Sequence, residues 1–154
     1  MDDDSPIRAS HLRRGRVSVE NGTYLVTVCV AGRRHAFEGW ANAGPVIDAM
    51  KAEGQCGSAK TLAWVLMPDH FHWLLSLGAV DLNVLVRRFK SRSSRAFKQR
   101  FDWPGPLWQK NFHDRALRRD DDVAAAARYV LCNPIRAGLV DRVGDYPLWD
   151  AVWI

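Results

Sequence analysis

The sequence predicts a single α+β domain with the element order βαββαβ and one further helix near its C-terminus. Three observations carry that reading. Apolar, β-branched runs alternate with segments of helical periodicity. Two of the apolar runs meet at a Pro-Asp pair, as the arms of an antiparallel hairpin do. No repeat or low-complexity linker interrupts the chain after residue 15.

Residues 16–30, RVSVENGTYLVTVCV, are β-branched and aromatic and read as the first strand, with Asn21-Gly22 a turn or bulge inside it. In ANAGPVIDAMKAEG (41–54) a helix starts near Pro45 and stops at Gly54, with Val46, Ile47 and Met50 at helical spacing. TLAWVLM (61–67) is the second strand, Pro68-Asp69 a tight turn, and HFHWLLSL (70–77) the antiparallel return. Residues 82–101 form an amphipathic helix. Leu82, Leu85, Val86, Phe89, Ser93, Ala96 and Phe97 lie on one side, and basic residues cover the rest. DWPGP (102–106) ends it, and LWQKNFHDRALR (107–118) supplies a fourth strand. DDDVAAAARYVLC (120–132) is a helix with Asp120 as N-cap and acidic residues at its positive end. Pro134 then opens a short turn ending at Gly138. This is the order of the ferredoxin-like split βαβ arrangement, an antiparallel sheet with helices on one face, and it makes strand 70–77 central. Residues 1–15 read as a flexible arm of acidic and basic residues, and 16–154 as the domain.

At 154 residues the chain can bury a core without disulfides. Three cysteines with no CxxC spacing fit a reducing cytoplasm. The acidic, polar start MDDDSPIRAS is neither a secretion signal nor a transit peptide, and no run approaches the ~20 apolar residues that cross a bilayer. No P-loop glycine motif is present, so no nucleotide cofactor is expected. The net charge of +5 is unevenly spread. Residues 86–119 carry eleven Lys or Arg against two Asp, a window of +9 in a chain that is otherwise acidic. Such segregation suits a polyanion partner; a solvated helix face is the bland alternative. Seven tryptophans are many for this length, enough for some to stack on a partner from the surface.

His70 and His72 are one residue apart between the apolar flanks Trp64–Met67 and Trp73–Leu77. On a strand, side chains at i and i+2 share a face, so two imidazoles project side by side. Buried without charge partners, they would leave several polar atoms to satisfy, and a metal ion bound by one nitrogen of each solves this. A third protein ligand is then needed. Tyr129 and Asn133 are i and i+4 and share a helical face. Pro134 biases Asn133 out of helical geometry and frees its amide, whose oxygen is a hard ligand suited to Mg²⁺ or Mn²⁺. Taken by itself, Tyr129 is more commonly a core aromatic with its hydroxyl at the rim.

Taken together, WVLMPDHFHWLL, GPLWQKNFHDRALRRDDD and ARYVLCNPIRAGLV resemble the REP-associated tyrosine transposases. These belong to the bacterial single-tyrosine HUH class, named for a His, a hydrophobic residue and a His. The resemblance runs in order from about Leu12 through VGDYPLWDAVWI. It implies that His70 and His72 are the metal pair flanking Phe71, that Tyr129 is the nucleophile on the C-terminal helix, and that Asn133 is the third, amide-type ligand. It also implies a βαββαβ sheet and a single-stranded DNA substrate carrying REP hairpins, cleaved and rejoined in DNA transposition. Attack by a tyrosine oxygen on a phosphodiester leaves a 5′-phosphotyrosine and a 3′-OH, reversibly and without ATP. A phenol of ordinary pKa ~10 needs a cation to offset charge on the phosphate. Arg87, Arg88, Lys90, Arg92, Arg95 and Lys98 on the basic helix, with Arg128 and Arg136, are the expected DNA-backbone contacts. A monomer and a homodimer are both compatible with the class, and no membrane partner is expected.

Three rival readings differ in the residues they use. A non-catalytic nucleic-acid-binding domain of ferredoxin-like topology explains charge and aromatics but not the paired histidines with Tyr129. A zinc hydrolase could add His113 or Cys132 to the pair, leaving Tyr129 and Asn133 unexplained. A two-histidine phosphoesterase needs a second H-x-[ST] motif, which the sequence lacks.

Overall fold

The computed structural model describes residues 18–118 and 121–152, so the expected N-terminal arm (1–15) and Asp120 lie outside the described residues. Strand β1 (Thr23–Cys29) starts after the Asn21-Gly22 turn rather than running through it from residue 16. Asn21 takes φ 64°, and a Cβ on Gly22 would meet the Val19 carbonyl oxygen at 2.9 Å, so the chain reverses here instead of extending. Helix α1 (Trp40–Gln55) begins before Pro45 and carries it inside, where it removes one helical hydrogen bond. The helix buries Ala43, Val46, Ala49, Met50 and Glu53.

Strands β2 (Ala59–Met67) and β3 (His70–Leu77) form the expected hairpin, with Met67 opposite His70. Helix α2 (Leu82–Arg100) is capped by Asp81, whose carboxylate accepts from Asn83 N at 2.8 Å. Strand β4 is only His113–Ala116. The segment before it makes a single bridge, at Trp108 opposite Val30, where Gln109 N donates to Cys29 O at 2.8 Å and Ala31 N to Leu107 O at 2.9 Å, and the Trp108 indole donates to Ser93 Oγ at 2.9 Å. Helix α3 (Val123–Leu131) is capped by Asp122, three residues before the Ala125 N–H it accepts from, so Asp122 holds the role assigned to Asp120. After Cys132 a short helix α4 (Asn133–Arg136) follows, so Asn133 is helical despite the proline behind it. Gly138, at φ 73°, ends this turn as the sequence suggests. A fifth strand, β5 (Trp149–Ala151), pairs with β2 and was not expected.

The sheet order is β4-β1-β3-β2-β5 with every neighbouring pair antiparallel. The first four positions are the split βαβ order, and β3 is central, paired along its whole length on both sides. Phe71, Trp73, Leu75 and Leu77 point to one face, where Phe89 of α2 stacks on Phe71 with ring centroids 5.3 Å apart. Leu74 points to the other and packs with Ala63, Ala127, Leu131 and Ala151. Helices α1 and α2 thus cover one face, and α3 covers the opposite one. Among the described residues no disulfide joins Cys29, Cys56 or Cys132, and no helix is long and apolar enough to cross a membrane.

Candidate active site

Alternation along β3 puts His70 and His72 on the face that α3 covers. Their ring centroids are 4.7 Å apart with the planes nearly perpendicular. The expectation that neither has a charge partner is corrected by the turn before them. Asp69 Oδ1 lies 2.6 Å from His70 Nδ1, and its Oδ2 accepts from Arg33 Nε at 3.0 Å. Burial pushes the Asp69 carboxyl up, but the hydrogen bonds and charges of His70 and Arg33 outweigh it and hold the group below its ordinary value.

His72 is anchored from the neighbouring strand. Thr27 sits directly across from it on β1, with its hydroxyl 2.8 Å from His72 Nδ1. Burial drives the His72 imidazole down to about 3, with the charges of His70, Arg136 and Arg33 adding to the fall and a hydrogen bond that the ring donates to the Asn133 amide oxygen opposing it. The ring is therefore neutral at ordinary pH, the form that binds a metal.

That hydrogen bond brings Asn133 to the pair. The kink at Cys132 turns the chain from α3 into α4 above the sheet, and Asn133 Nδ2 donates back to Val130 O at 3.0 Å. The carboxamide is held at one end and meets His72 at its side chain. Two imidazoles whose Nδ1 atoms are already engaged, with a fixed carboxamide beside them, present two nitrogen donors and one amide oxygen at one place on the sheet. Among the described residues no three His, Cys, Asp or Glu side chains gather as a metal cluster, which leaves the zinc alternatives through His113 or Cys132 without a site.

Tyr129 occupies the outer side of α3, 58% exposed, with the Arg136 guanidinium 4.0 Å from its ring centroid. Arg136 is fixed there by donating from Nη2 to the Tyr129 carbonyl at 2.7 Å. The charge of the same guanidinium also disfavours protonation of His72. The other tyrosines are buried. Tyr24 Oη accepts from Val19 N at 2.8 Å, and Tyr146 donates to the Leu66 carbonyl, its phenol pushed up to about 12 by burial.

The structure divides the expected DNA contacts. Arg87, Arg92, Arg95 and Lys98 are exposed on α2, but α2 lies across the sheet from the histidines. Arg88 is committed to the protein: Nη2 donates to Glu53 Oε2 and to Ser58 Oγ, both at 2.7 Å, and Glu53 is only 1% exposed. Lys90 likewise donates to the Gln109 and Asn111 carbonyls at 2.6 and 2.8 Å, tying α2 to the segment before β4. These two are structural anchors. Arg128 and Arg136 lie on the helices of the site face, exposed. Of the tryptophans, Trp64, Trp73 and Trp108 are core residues, while Trp40 is exposed.

Asp69, Thr27 and Arg33 were not singled out in the sequence. Asp69 was legible in principle, being next to His70 in a turn. Thr27 and Arg33 meet the histidines only through the strand register and the path of a distant loop.

A family model described as "Transposase IS200 like" matches residues 18–131. A Haemophilus influenzae protein provisionally named a REP-associated tyrosine transposase is 31% identical over 100 residues, covering 57% of this chain and 56% of that protein. A REP-associated tyrosine transposase of Escherichia coli is 31% identical over 87 residues, covering 55% of this chain and 50% of its own length. The chain thus spans about half the length of these curated relatives. The solved structure of a REP-associated tyrosine transposase bound to a REP hairpin superposes with a TM-score of 0.74 at 24% identity, over 87% of this chain and 79% of that one, a likeness of fold.

Proposed function

This chain belongs to the IS200-like transposase family, and we propose that it cuts and rejoins single-stranded DNA bearing REP-like hairpins through a covalent bond to Tyr129. The observation that carries the reading is the meeting of His70, His72 and Asn133 on the sheet face beneath the helix that bears the one exposed tyrosine. Tyr129 Oη attacks the phosphorus, its proton leaves to solvent, and the P–O3′ bond breaks as the 3′ oxygen takes up a proton from solvent. The products are a 5′-phosphotyrosine and a 3′-OH, and attack by a 3′-OH on that ester reverses the step. His70 and His72, with Asn133 as third ligand, would hold Mg²⁺ or Mn²⁺, which when bound polarises a non-bridging phosphate oxygen. Arg136 places a positive charge beside the phenol, where the incoming phosphate is met and oriented. Asp69 and Thr27 engage the Nδ1 atoms of His70 and His72, which would leave Nε2 of each ring to the ion.

Incubation of the protein with 3′-end-labelled hairpin DNA and Mn²⁺, followed by a denaturing gel, tests this. A label that migrates with the protein and disappears in EDTA is the expected result. Hairpin binding with no protein-linked label in any divalent cation would leave a non-catalytic DNA-binding domain.

A further inference from the structure

We infer that Arg33 and Asp69 form a clamp that sets the orientation of the His70 ring, making both positioning residues for the metal site; this rests on the reading of His70 as a ligand. Asp69 uses both carboxylate oxygens, one toward His70 Nδ1 at 2.6 Å and one toward Arg33 Nε at 3.0 Å. An imidazole N–H given to a carboxylate fixes the tautomer and the rotation of the ring, and turns Nε2 toward the ion. A carboxylate beside a cation site can, however, swing toward the cation itself. Arg33 pulls on the far oxygen and holds the carboxylate edge-on to His70.

The backbone is shaped for this contact. Gly32 and Arg33 are consecutive left-handed residues, at φ 66° and 55°. Glycine takes that region freely, but a residue with a Cβ does so only under steric strain. Arg33 accepts the strain where a second glycine would avoid it, which points to a need for its side chain. The loop is also stapled to the turn bearing Asp69: Val30 N donates to Asp69 O at 2.8 Å and Phe37 N to Pro68 O at 3.1 Å. Arg33 lies between these two staples, so its reach to Asp69 is set by backbone bonds. A further contact, Nη1 to Cys29 Sγ at 3.4 Å, steadies the guanidinium against β1.

Positioning and plain electrostatics predict opposite signs, which makes the test decisive. Arg33 is a cation near a cation site, so by charge alone its removal tightens metal binding. As a clamp, its removal weakens it. The measurement is the Mn²⁺ dissociation constant of the full chain, from the EPR signal of free Mn²⁺, beside hairpin affinity in EDTA and a thermal melt. Asp69→Ala should weaken Mn²⁺ by about 10–100-fold, Arg33→Ala should weaken it several-fold, and the double variant should be no weaker than Asp69→Ala alone. Hairpin affinity in EDTA should change little for Asp69→Ala. If Arg33→Ala melts early, Arg33→Gly suits the left-handed backbone and carries the same test. Unchanged or tighter Mn²⁺ binding in the Arg33 variants overturns the clamp. A wild-type chain that binds no Mn²⁺ overturns the metal reading beneath it, whereas a wild type that binds and an Asp69→Ala that binds equally well overturns the clamp alone.

Discussion

Phe71 and His72 are adjacent on one strand, yet their surroundings have almost nothing in common. Phe71 stacks on Phe89 and tilts against Trp73 and Trp64, inside a close-packed aromatic core. His72 has a threonine hydroxyl on one side, a carboxamide on another, and the charges of His70, Arg136 and Arg33 around it. The packed face holds the strand still, and because strand pairing fixes the backbone on both edges, the polar face inherits that rigidity. One face therefore contributes stability and the other geometry. The two should respond to different perturbations.

The largest expected effect is on the site face. Tyr129→Phe removes one oxygen from an exposed ring, so the melting temperature should hold while the covalent adduct falls by at least about a thousandfold, over ~4 kcal/mol of barrier. Hairpin binding measured on the same preparation should survive. An adduct that persists would mean another group attacks, and neither Tyr24 nor Tyr146 is exposed to do so.

The next effect belongs to the packed side. Arg88→Ala leaves the Glu53 carboxylate buried without its main cation, at a cost of about 3–5 kcal/mol. Replacing both residues with apolar ones of similar size should recover most of that loss. Urea melts of the single and double variants check this. If Arg88→Ala is as stable as wild type but binds DNA less well, Arg88 is a DNA contact after all and the division between the faces weakens.

How far the sequence foretold this division depends on which interactions set each part. The β2–β3 hairpin and α2 lie within a residue or two of expectation, because long apolar runs and a strong helical stripe decide them locally. The histidine pair was legible for the same reason, since a period of two places both on one face wherever the strand lies. Segment 107–118 was misread as one strand because Trp108 and Phe112 look like strand residues but are buried core residues, Trp108 against Phe89 of α2. Strand β5 was missed because three residues carry no periodicity, and its pairing with β2 decides it. Arg33 had no local signal at all: its partner is 36 residues away, and its backbone conformation follows from the loop's staples to the turn.

A smaller, pH-dependent effect separates the faces again. His72 takes up a proton at about 3 in the folded chain against an ordinary 6.5. Between those values the unfolded state binds the extra proton, so stability falls as pH drops from 6.5 toward 3, by at most about 1.4 kcal/mol per pH unit. Asp69, also held low, adds to the loss only below its ordinary 3.8. Melting temperatures of the metal-free protein in EDTA should therefore fall between pH 6.5 and 4.5, and His72→Gln should flatten that stretch. An equal decline in the variant would assign the acid sensitivity elsewhere.

The smallest effect concerns how DNA engages the two sides. Arg92, Arg95 and Lys98 lie on the outer surface of α2, on the side of the sheet away from the histidines, whereas Arg128 and Arg136 lie on the helices above the site. Arg128 faces Asp122 at 3.5 Å with both groups well exposed, a pairing that water and salt weaken, so its charge is available to a phosphate. Neutralising the three α2 residues together should reduce the slope of log affinity against log salt by about 2 on single strands, at roughly 0.7 per lost phosphate contact. The rate of adduct formation at saturating DNA should barely change. Neutralising Arg128 and Arg136 should reduce the slope by only about 1.4, yet should slow the adduct at saturation if Arg136, which lies over the Tyr129 ring, orders the attack as well as meeting the backbone. Arg88 and Lys90 are left out of the first set, since their loss would destabilise the fold as well as remove charge. If the α2 variant keeps the parental slope, the +9 window is a solvated face and DNA is held from the site side alone. If both variants lose affinity but neither loses saturated rate, Arg136 holds the strand without ordering the attack.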